Sequence, residues 1–507
     1  MPDLGPVWPM TPADRLRAAL REVEAELAAA PSADLHVARA RLLIAMRIPD
    51  RAQLAFIKAL QIDPAHFAAL NDFGALLRDL SYRAAARTLF EEAVRLHPRE
   101  PIARVNLATI LMYDDEPDAA RIHLLGALEV NPDHCAAHQR LSELARERGD
   151  TAAMRDHRQR GFGVRPLEAL PFFGSGAPIP VLVLTSTPAA DLDWPKLIDP
   201  SCLAVTTLVA EFADPAAPLP PHKLILNAIG DADIADADLR AAEHIVARSK
   251  APLVNHPARV RASGRAANAE RLGRIKDVIT PRALELPREA LAGSDGERRL
   301  AAEGFRFPML IRSLGFHNGR NLLRVETPSE LRAAAAALPG PELLALEYLD
   351  ARGRDGLVRK YRVMTIGGRL LPLHLAISSD WKLHYASAST TDPENQAEED
   401  RFLADMPAAL GECAMAALAS IQAVLGLDYA GVDFGLNGRG ELLLFEANPV
   451  MNILEPGAGE GSDVRRAALA SARQAAQALL VAAAERDEPK GTDVARAAST
   501  LATDRLG

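Results

Sequence analysis

The segment GVDFGLNGRGELLLFEANP, residues 431–449, decides how the C-terminal half of this chain is interpreted. Two apolar runs of β type flank the turn sequence NGRG and predict an antiparallel hairpin. Asp433 and Glu446 are equidistant from the centre of that turn. A hairpin that closes between Arg439 and Gly440 therefore makes the two carboxylates cross-strand neighbours.

Asn448 adds an amide oxygen near this pair of carboxylates. Asn448 lies two residues beyond Glu446, and side chains at that spacing in a strand share one face. Two carboxylates and an amide oxygen on one face suit a Mg²⁺ ion that also binds nucleotide phosphates. The alternative is that Asp433 is an ordinary turn or strand-edge residue. The apolar strand around it favours the metal site, because a carboxylate buried in a sheet is costly unless it is paired or bound to metal.

A glycine-containing loop, SLGFHNGRN at residues 313–321, precedes this hairpin in the chain. Gly315 and Gly319 give the loop the freedom to bring backbone N–H groups close to an anion. An ordinary hairpin turn is the alternative, since glycine-rich turns are common. The position of the loop directly after the strand residue Arg312 favours phosphate binding. His317 is interpreted as a hydrogen-bonding residue of the loop rather than as a general base.

Short apolar runs and helical stretches alternate between residues 180 and 449, a pattern typical of sheets flanked by helices. No GxGxxG sequence follows the first run, so a dinucleotide-binding fold is not supported. The predicted strands and extended segments are Pro180–Thr185, Ala204–Val209, Lys223–Ile229, Pro252–Asn255, Val278–Pro281, Pro308–Arg312, Leu322–Val325, Glu342–Leu349, a hairpin over 360–378 that turns at Gly367-Gly368, 431–436 and 441–449. The predicted helices span about 236–249, 264–276 and 401–425.

Residues from about 178 to 484 resemble an ATP-grasp enzyme. The motifs that carry the resemblance are FPMLIRSLGFHNGRN, LALEYLD, DGLVRKYRVM and GVDFGLNGRGELLLFEANPVMN, which begin at residues 307, 344, 355 and 431. The resemblance implies an N-terminal α/β unit, a small central α+β lid and a C-terminal sheet that carries metal ions. It also implies an activity in which ATP phosphorylates a carboxylate and an amine, or another nucleophile, attacks the acyl phosphate, usually to form an amide.

The resemblance assigns roles to the residues at matching positions. It makes Asp433, Glu446 and Asn448 ligands of Mg²⁺. It places Arg312 and Arg265 at two positions that contact the ATP phosphates and are commonly lysine in the family. Arginine keeps the positive charge and binds phosphate through two parallel hydrogen bonds, so phosphate binding is expected to survive this departure.

Further roles follow from the same resemblance. Glu347, Tyr348 and Leu349 match the linker that faces adenine, and Asp355 is the candidate for the ribose. Arg362 matches the catalytic arginine near the γ-phosphate and the acyl phosphate, where fixed cations stabilise the charge of the transferring phosphoryl group. The alternative for Arg362 is an ion pair with a neighbouring carboxylate.

A polar and aromatic cluster follows the predicted 360–378 hairpin. It contains Trp381, Lys382, His384 and Tyr385, with His374 just before them in the chain. Lys382 and His384 are candidate catalytic residues that would orient substrate or accept a proton from the incoming amine. The alternative is a lid loop that holds a packed tryptophan.

The N-terminal third has a different pattern, a repeat of 34 residues. Proline, which ends a helix because it lacks an N–H and its ring clashes with the preceding turn, recurs at this spacing. The prolines are Pro64, Pro98, Pro132 and Pro166, and three further columns repeat in register: Phe56, Phe90 and Leu124; Ala59, Ala93 and Ala127; and Ala52, Ala86 and Ala120. Residues 1–165 therefore resemble a tetratricopeptide solenoid of three to four helix pairs.

The repeat also predicts where the helices lie. A first helix spans 12–30, with Thr11 as its N-cap. In the last pair, Met154 and Arg158 replace the small and bulky column residues, as is common in terminal repeats. The first helices of the pairs are predicted at 35–47, 67–80, 101–113 and 135–148. Such a solenoid offers a concave groove for a peptide or protein, or, as the alternative, a platform for docking or dimerisation.

Composition and charge exclude several classes of protein. The 507 residues are 49% hydrophobic and 25% charged, which is ordinary globular usage and rules out wholesale disorder. A formal net charge of -9 and an aromatic content of 5% argue against a nucleic-acid binder. Cys135, Cys202 and Cys413 form no CxxC pair, which argues against a disulfide framework or a zinc site. Without a signal-peptide pattern or an apolar run long enough for a bilayer, a cytoplasmic protein with no membrane span is expected.

The expected fold class is therefore multidomain: an all-α tetratricopeptide solenoid followed by an α/β and α+β ATP-grasp fold. The predicted regions are the helical repeats at 1–165, a linker at 166–180, an N-terminal α/β subdomain at 181–262, an ATP-grasp domain with lid and metal-binding sheet at 263–484, and a mostly disordered tail at 485–507.

The expected function is ATP- and Mg²⁺-dependent ligation of a carboxylate on a peptide or protein that the repeats recruit. One alternative is a ligase for free small molecules such as amino acids, with the repeats serving only assembly, for example as a homodimer. The other is an adaptor that binds nucleotide without turnover. Intact Asp433, Glu446 and Asn448 argue against the adaptor.

Overall fold

The computed structural model of the chain describes residues 12–46, 48–172, 174, 176–187, 191–293, 295–316, 319–383, 392–453 and 462–486. The chain divides into two compact units. The first unit contains Met1–Arg165, Pro171–Pro178 and Pro200–Ala204, and the second contains Pro166–Leu170, Ile179–Asp199 and Val205–Gly507.

The first unit is built from helical hairpins. Its helices are α1 (Pro12–Ala29), α2 (Ala33–Ala45), α3 (Pro49–Ile62), α4 (Phe67–Asp79), α5 (Arg83–Leu96), α6 (Pro101–Tyr113), α7 (Pro117–Val130), α8 (Cys135–Glu147) and α9 (Thr151–Phe162). After α1 they pair as α2–α3, α4–α5, α6–α7 and α8–α9. The first helix of each pair begins and ends within two residues of its predicted bounds. Thr11, the predicted N-cap of α1, lies outside the described residues.

The columns that repeat every 34 residues form the core of this unit. Phe56, Phe90 and Leu124 are fully buried, as are the alanines of the two small columns. A Cβ atom at Gly74 would lie 2.6 Å from Cε1 of Phe90, so α4 approaches α5 at a distance that only glycine allows. The large residue therefore fills the space that the small residue leaves, which is why the spacing in the sequence is strict.

The second unit begins with a five-stranded sheet in the order β1-β3-β2-β4-β5. Its strands are β1 (Leu167–Ala169), β2 (Ile179–Thr185), β3 (Leu203–Val209), β4 (Leu224–Asn227) and β5 (Leu253–Val254). β4 is parallel to both β2 and β5, whereas β1 is antiparallel to β3. The segment predicted to be a linker therefore contributes β1 as an edge strand of this sheet.

Two further sheets follow along the chain. The four-stranded sheet has the order β7-β10-β8-β9, and the second five-stranded sheet has the order β12-β11-β13-β14-β6. These strands are β6 (Val278–Ile279), β7 (Ala283–Pro287), β8 (Met309–Ser313), β9 (Leu322–Val325), β10 (Glu342–Glu347), β11 (Val358–Ile366), β12 (Arg369–Ser378), β13 (Tyr429–Leu436) and β14 (Leu442–Asn448). The predicted turn at Gly367-Gly368 is confirmed, and both glycines have the positive φ that a tight hairpin requires.

Helices accompany the three sheets. They are α10 (Asp236–Val246), α11 (Pro257–Arg261), α12 (Arg265–Leu272), α13 (Arg288–Ala292), α14 (Gly296–Ala302), α15 (Pro328–Ala337), α16 (Pro393–Ala404), α17 (Met406–Leu425) and α18 (Asp463–Ala484). The single helix predicted over 401–425 is in fact two, because Asp405 ends α16 and caps the start of α17.

Helix α17 is long and apolar enough, by length and composition alone, to cross a membrane. In the structure, Leu410, Leu418 and Ile421 on one side of this helix are buried in the core of the second unit. Strand residues Val432 and Phe434 belong to the same core cluster. The buried apolar residues of α17 thus pack against the sheet that contains β13.

Two buried asparagines fix the strands on which the predicted metal ligands lie. Asn255 accepts hydrogen bonds from the backbone N–H groups of Asp428 and Tyr429 and donates to the carbonyl of Tyr429. Asn268 donates to the carbonyl of Ala447 over 2.7 Å. The start of β13 and the end of β14 are therefore tied to the segments that carry β5 and α12.

Candidate functional site

The hairpin of β13 and β14 places Asp433 directly opposite Glu446, as predicted. It does so by a route that the sequence did not indicate. Leu436 pairs with Leu442, which centres the turn on Arg439 rather than between Arg439 and Gly440. A regular ladder from that turn would place Phe445 opposite Asp433. An irregularity between Asp433 and Phe434 shifts the register by one residue and restores the carboxylate pair.

Asp433 is held by two cations from the neighbouring strand β11. Nε and Nη2 of Arg362 donate to its two carboxylate oxygens over 2.6 and 2.7 Å, and Nζ of Lys360 lies 3.4 Å from Oδ2. The Asp433 side chain is only 5% exposed. Burial opposes its charge, but Arg362 and Lys360 outweigh burial and hold the pKa of Asp433 below its ordinary value. The ion-pair alternative for Arg362 is thus present in the structure.

Glu446 is held by a third cation. Nη2 of Arg265, the first residue of α12, donates to Oε1 of Glu446 over 2.7 Å. The same guanidinium donates to Asp233 and lies 3.7 Å from Oδ1 of Asp231. Burial works against the charge of Arg265, but the three carboxylates outweigh it and raise the pKa of this arginine above its ordinary value.

Sequence reasoning missed Asp231 and Asp233. They follow β4, at the carboxyl end of a strand that runs parallel to its neighbours, where open α/β sheets place ligand sites. Oδ1 of Asp233 also accepts the backbone N–H of Arg265 over 3.0 Å, which fixes the start of α12. The available signal was the sequence GDAD at residues 230–233, directly after a predicted strand of the parallel sheet.

Arg312 differs from the other cations of the site. It lies on β8 with an exposed fraction of 9%, and its Nη2 donates to the carbonyl of Phe316. Among the described residues its Nε makes no hydrogen bond and no carboxylate lies within 4 Å of its guanidinium, whereas Arg265 holds the carboxylates of Asp231, Asp233 and Glu446. Burial and then repulsion from Arg265 lower its pKa to about 10. A buried cation of this kind has unused capacity to bind an anion.

The loop after Arg312 has the conformation that its glycines permit. Gly315 has φ +73° and Gly319 has φ +64°, the left-handed region in which a Cβ atom is disfavoured. His317 lies outside the described residues, so its predicted role stays a prediction.

Asn448 lies at the end of β14, opposite Gly431 in the ladder. Its Oδ1 accepts the backbone N–H of Val450 over 3.1 Å, which closes a turn after the strand. A carbonyl oxygen has two lone pairs, so this bond leaves one acceptor position on the amide.

The predicted adenine linker is at the end of β10 and beyond it. Tyr348 packs under the guanidinium of Arg324, 4.3 Å from the ring centroid, and meets Trp381 edge-on. Glu347 is exposed and accepts the backbone N–H of Arg282 over 3.2 Å. Leu349 packs at the edge of a small apolar cluster.

Asp355, the predicted ribose contact, has a partner within the chain. Nη2 of Arg359 donates to its carboxylate over 2.8 Å, and this bond lowers the pKa of Asp355 to about 2. The same arginine also binds Glu398. A ribose hydroxyl would therefore have to share this carboxylate with Arg359.

The predicted catalytic cluster is only partly described. Nζ of Lys382 donates to the carbonyl of Leu322 over 3.2 Å, so the lysine reaches the first residue of β9. His374 is buried on β12 opposite Arg362, and burial, followed by repulsion from Arg362, holds its pKa well below the ordinary value. His384 and Tyr385 lie outside the described residues.

The oxygen donors at the hairpin suit Mg²⁺ in kind, since they are two carboxylates and an amide. Guanidinium groups now occupy oxygens of both Asp433 and Glu446. Among the residues that the structure describes, no group of three or more His, Cys, Asp or Glu side chains is placed to hold a metal ion. A metal ion would therefore bind by displacing arginine, with Asn448 as a third donor.

The charges of the site balance without any ligand. Four cationic and four anionic side chains meet there: Arg265, Arg312, Lys360 and Arg362, and Asp231, Asp233, Asp433 and Glu446. This arrangement permits an exchange of partners, because Arg265 and Arg362 could each release a carboxylate to bind an anion.

Comparison with known proteins adds little about this site. No family model and no curated protein matches the chain. Among solved structures, pilF of Pseudomonas aeruginosa is 21% identical, covers 29% of this chain and 68% of its own, and has a TM-score of 0.28. YrrB, described as a TPR protein with an unusual peptide-binding site, is 18% identical over 30% of this chain and 79% of its own, with a TM-score of 0.26.

A third solved structure matches over a larger part of the chain. The D-alanine-D-alanine ligase of Coxiella burnetii is 10% identical, covers 55% of this chain and 74% of its own, and has a TM-score of 0.35. The helical repeats thus have tetratricopeptide-like neighbours, and the likeness to an ATP-grasp ligase is weak.

The ion pair between Arg362 and Asp433 generates a stability prediction. Replacing Arg362 by Met leaves Asp433 buried with only Lys360 as partner, which should lower the free energy of unfolding at pH 7 by about 3 kcal/mol. The pKa of Asp433 is depressed in the folded protein, so the pair contributes fully above the unfolded-state pKa of about 4 and is lost below it. The deficit of R362M should therefore shrink at pH 3.

Urea unfolding followed by the fluorescence of Trp194 and Trp381, which both lie in the second unit, measures this deficit. The control is R359M on the same strand, which breaks the more exposed ion pairs with Asp355 and Glu398 and should cost about 2 kcal/mol or less. An R362M deficit no larger than that of R359M, or one unchanged at pH 3, would show that the buried pair is not stabilising.

Proposed function

We propose that the second unit is an ATP- and Mg²⁺-dependent ligase of the ATP-grasp type, which activates a carboxylate as an acyl phosphate for attack by an amine or another nucleophile. The observation that carries the proposal is the direct pairing of Asp433 with Glu446 beside three arginines and a lysine. Phosphoryl transfer needs fixed cations around the phosphates and oxygen donors for the metal, and both are present within one site.

Arg312 supports the phosphate part of the proposal. It is buried, its pKa is lowered, and its guanidinium has no carboxylate within 4 Å among the described residues. An anionic phosphate would give the guanidinium of Arg312 the anionic partner that it lacks among the described residues. Because Arg312 is buried, such a contact is stronger than the same contact at an exposed surface.

Asp433, Glu446 and Asn448 are the residues that would hold Mg²⁺. The ion, when bound, would neutralise charge on the phosphate oxygens and so favour phosphoryl transfer. The arginines now on these carboxylates would change partner: Arg265 would leave Glu446, and Arg362 would loosen its hold on Asp433. Both guanidinium groups would then be free to contact phosphate oxygens, where they stabilise the developing charge.

Nucleotide binding without turnover is the second candidate function. The observation in its favour is that Arg362 occupies both oxygens of Asp433 in a short, well-aligned pair. If that pair persists when nucleotide binds, Asp433 offers no oxygen in its best geometry to a metal. The two candidates differ in a measurable way, because only the ligase releases ADP in the presence of its substrates.

The first unit is proposed to recruit a peptide or protein substrate. The first helices of successive pairs contact one another, α2 with α4, α4 with α6 and α6 with α8, so they form one continuous layer. Hydrogen bonds link polar side chains along this layer, from Asn106 to Asn71 over 2.9 Å and from Arg78 to Asn106 over 3.3 Å. Such a polar layer offers donors and acceptors to an extended chain.

The alternative for the first unit is assembly alone, with free small molecules as substrates. The proposed compartment is the cytoplasm, since a ligase that consumes ATP needs that pool. Neither nucleic acid nor a membrane is proposed as a partner, in keeping with the acidic net charge.

The metal role of Glu446 yields the most direct test of the ligase. E446Q keeps the size of the side chain but removes one charge from the proposed metal site, so ADP release should fall by about 100-fold or more. The assay uses ADP release with pooled carboxylates, amines and peptides, and circular dichroism checks the fold. E441Q, in the same hairpin, is the matched control and should keep its activity.

Full activity of E446Q would show that Glu446 is not a ligand of the metal ion. If the wild-type protein releases no ADP with any pool, its melting temperature in millimolar Mg·ATP separates the two candidate functions, because a ligand that binds the folded state raises that temperature. A higher melting temperature supports nucleotide binding without turnover, and an unchanged melting temperature contradicts both candidate functions.

Recruitment by the first unit is tested by deleting residues 1–165. The KM for the acceptor should rise while the affinity for Mg·ATP stays nearly unchanged, because the deleted surface supplies binding energy remote from the reacting atoms. The cut lies before Pro166 and therefore spares β1, which pairs with β3. Circular dichroism and gel filtration of the truncated protein come first.

A soluble, folded truncation with an unchanged KM and kcat toward its acceptor would refute recruitment. That result would leave assembly as the role of the repeats, and the oligomeric state of the full chain would then be the relevant measurement.

A further inference from the structure

A cavity of about 930 Å³ lies in the second unit, apart from the site described above. It is lined by Ile179, residues 218–223, residues 250–252 with Arg248 and Ser249, and residues 484–486. Ile179 begins β2, Lys223 precedes β4, and Pro252 precedes β5. The cavity is therefore at the amino ends of parallel strands, whereas Asp231 follows the carboxyl end of β4.

The side chains around this cavity are predominantly basic. Lys223, Arg248, Lys250 and Arg486 line it, against one acidic residue, Glu485. The chain as a whole has a formal net charge of -9, so this is a local reversal of sign. A concave surface lined by one sign of charge concentrates the electric field and attracts ions of the opposite sign.

The walls of the cavity are held in place by hydrogen bonds between its loops. Nδ1 of His222 donates to the carbonyl of Pro220 over 2.7 Å, and Nε2 is 2.7 Å from Oγ of Ser249. Because a carbonyl only accepts, Nδ1 carries a proton. Ser249 in turn accepts the backbone N–H of Ala251 over 3.1 Å. The segments that carry Lys223 and Lys250 are thus joined by a half-buried side-chain contact.

Arg248 is fixed in the same way. Its Nη2 donates to the carbonyl of Ala217, at the start of the proline-rich segment 218–221. Proline restricts φ and so reduces the conformational freedom that a ligand would have to remove on binding. The basic groups are therefore presented on a preorganised frame.

We propose that this cavity binds a small anion that carries two or more phosphate groups, at a site distinct from the proposed nucleotide site. The volume is within the range of roughly 300 to 1,000 Å³ that small-molecule sites occupy, which favours a metabolite over a macromolecule. Four cationic side chains suit an anion of high charge better than a single carboxylate. Their exposure at the mouth of the cavity makes the binding dependent on ionic strength.

Titration of the full chain with inorganic pyrophosphate, in EDTA to remove divalent metal ions, tests the proposal by calorimetry. Removing two charges with K223A/K250A should weaken binding by about 30-fold, because each nearby unit charge contributes about 1 kcal/mol even in water and about 1.4 kcal/mol corresponds to a factor of ten. The control K58A/K276A removes two exposed lysines elsewhere and should change the affinity by a factor of about two or less. Wild-type affinity should also fall as salt is raised.

R312Q separates this cavity from the proposed nucleotide site. Binding that survives R312Q but weakens in K223A/K250A supports the proposal, whatever the outcome for ATP. Three results would overturn it: no binding of pyrophosphate to the wild-type chain, equal weakening by K58A/K276A, or loss of binding in R312Q with K223A/K250A unaffected. Circular dichroism of each variant verifies that the fold is intact.

Discussion

The contact between Arg362 and Asp433 is the interaction on which the rest of the site depends. A carboxylate that is 5% exposed in the middle of a sheet is unfavourable by itself, and the two short bonds to Arg362 make it tolerable. The pair also fixes the register between β11 and β13. The irregularity one residue further on then determines that Glu446, rather than Phe445, stands beside Asp433. Arg265 reaches Glu446 from the start of α12, so one row of charges joins two sheets and a helix of the second unit.

A site that balances its own charges would respond to the proposed ligands by exchanging partners. Asp233 and Glu446 engage Nη1 and Nη2 of Arg265, and Glu446 cannot give that oxygen to a metal while it holds Arg265. Binding of phosphate to the arginine would therefore favour binding of metal to the carboxylate, and the reverse holds by linkage. The bond from Asp233 to the backbone N–H of Arg265 would persist through this exchange, so α12 would keep its position while only the side chain moves.

Those features of the fold that depend on local spacing were predictable from the sequence. The 34-residue columns predicted the helix pairs because a small residue must face a large one, as Gly74 faces Phe90. The apolar runs around Asp433 and Glu446 predicted their hairpin for the same local reason. The register irregularity was not predictable, since it depends on how β13 fits both of its neighbours. Asp233 and Arg265 are 32 residues apart, and Arg265 and Glu446 are 181 apart, so only the folded chain brings these charges together. The roles of the site residues remain predictions.

The central claim is that the arginine–carboxylate site exchanges its internal ion pairs for metal and phosphate. A crystal structure of the full chain with Mn²⁺ and ADP tests it most directly, because Mn²⁺ replaces Mg²⁺ and is located by its anomalous signal. The account predicts a Mn²⁺ peak coordinated by oxygens of Asp433 and Glu446, with Arg265 turned from Glu446 to a phosphate of ADP. An unchanged Arg265–Glu446 pair with no metal at the hairpin, in crystals that contain bound ADP, would contradict it.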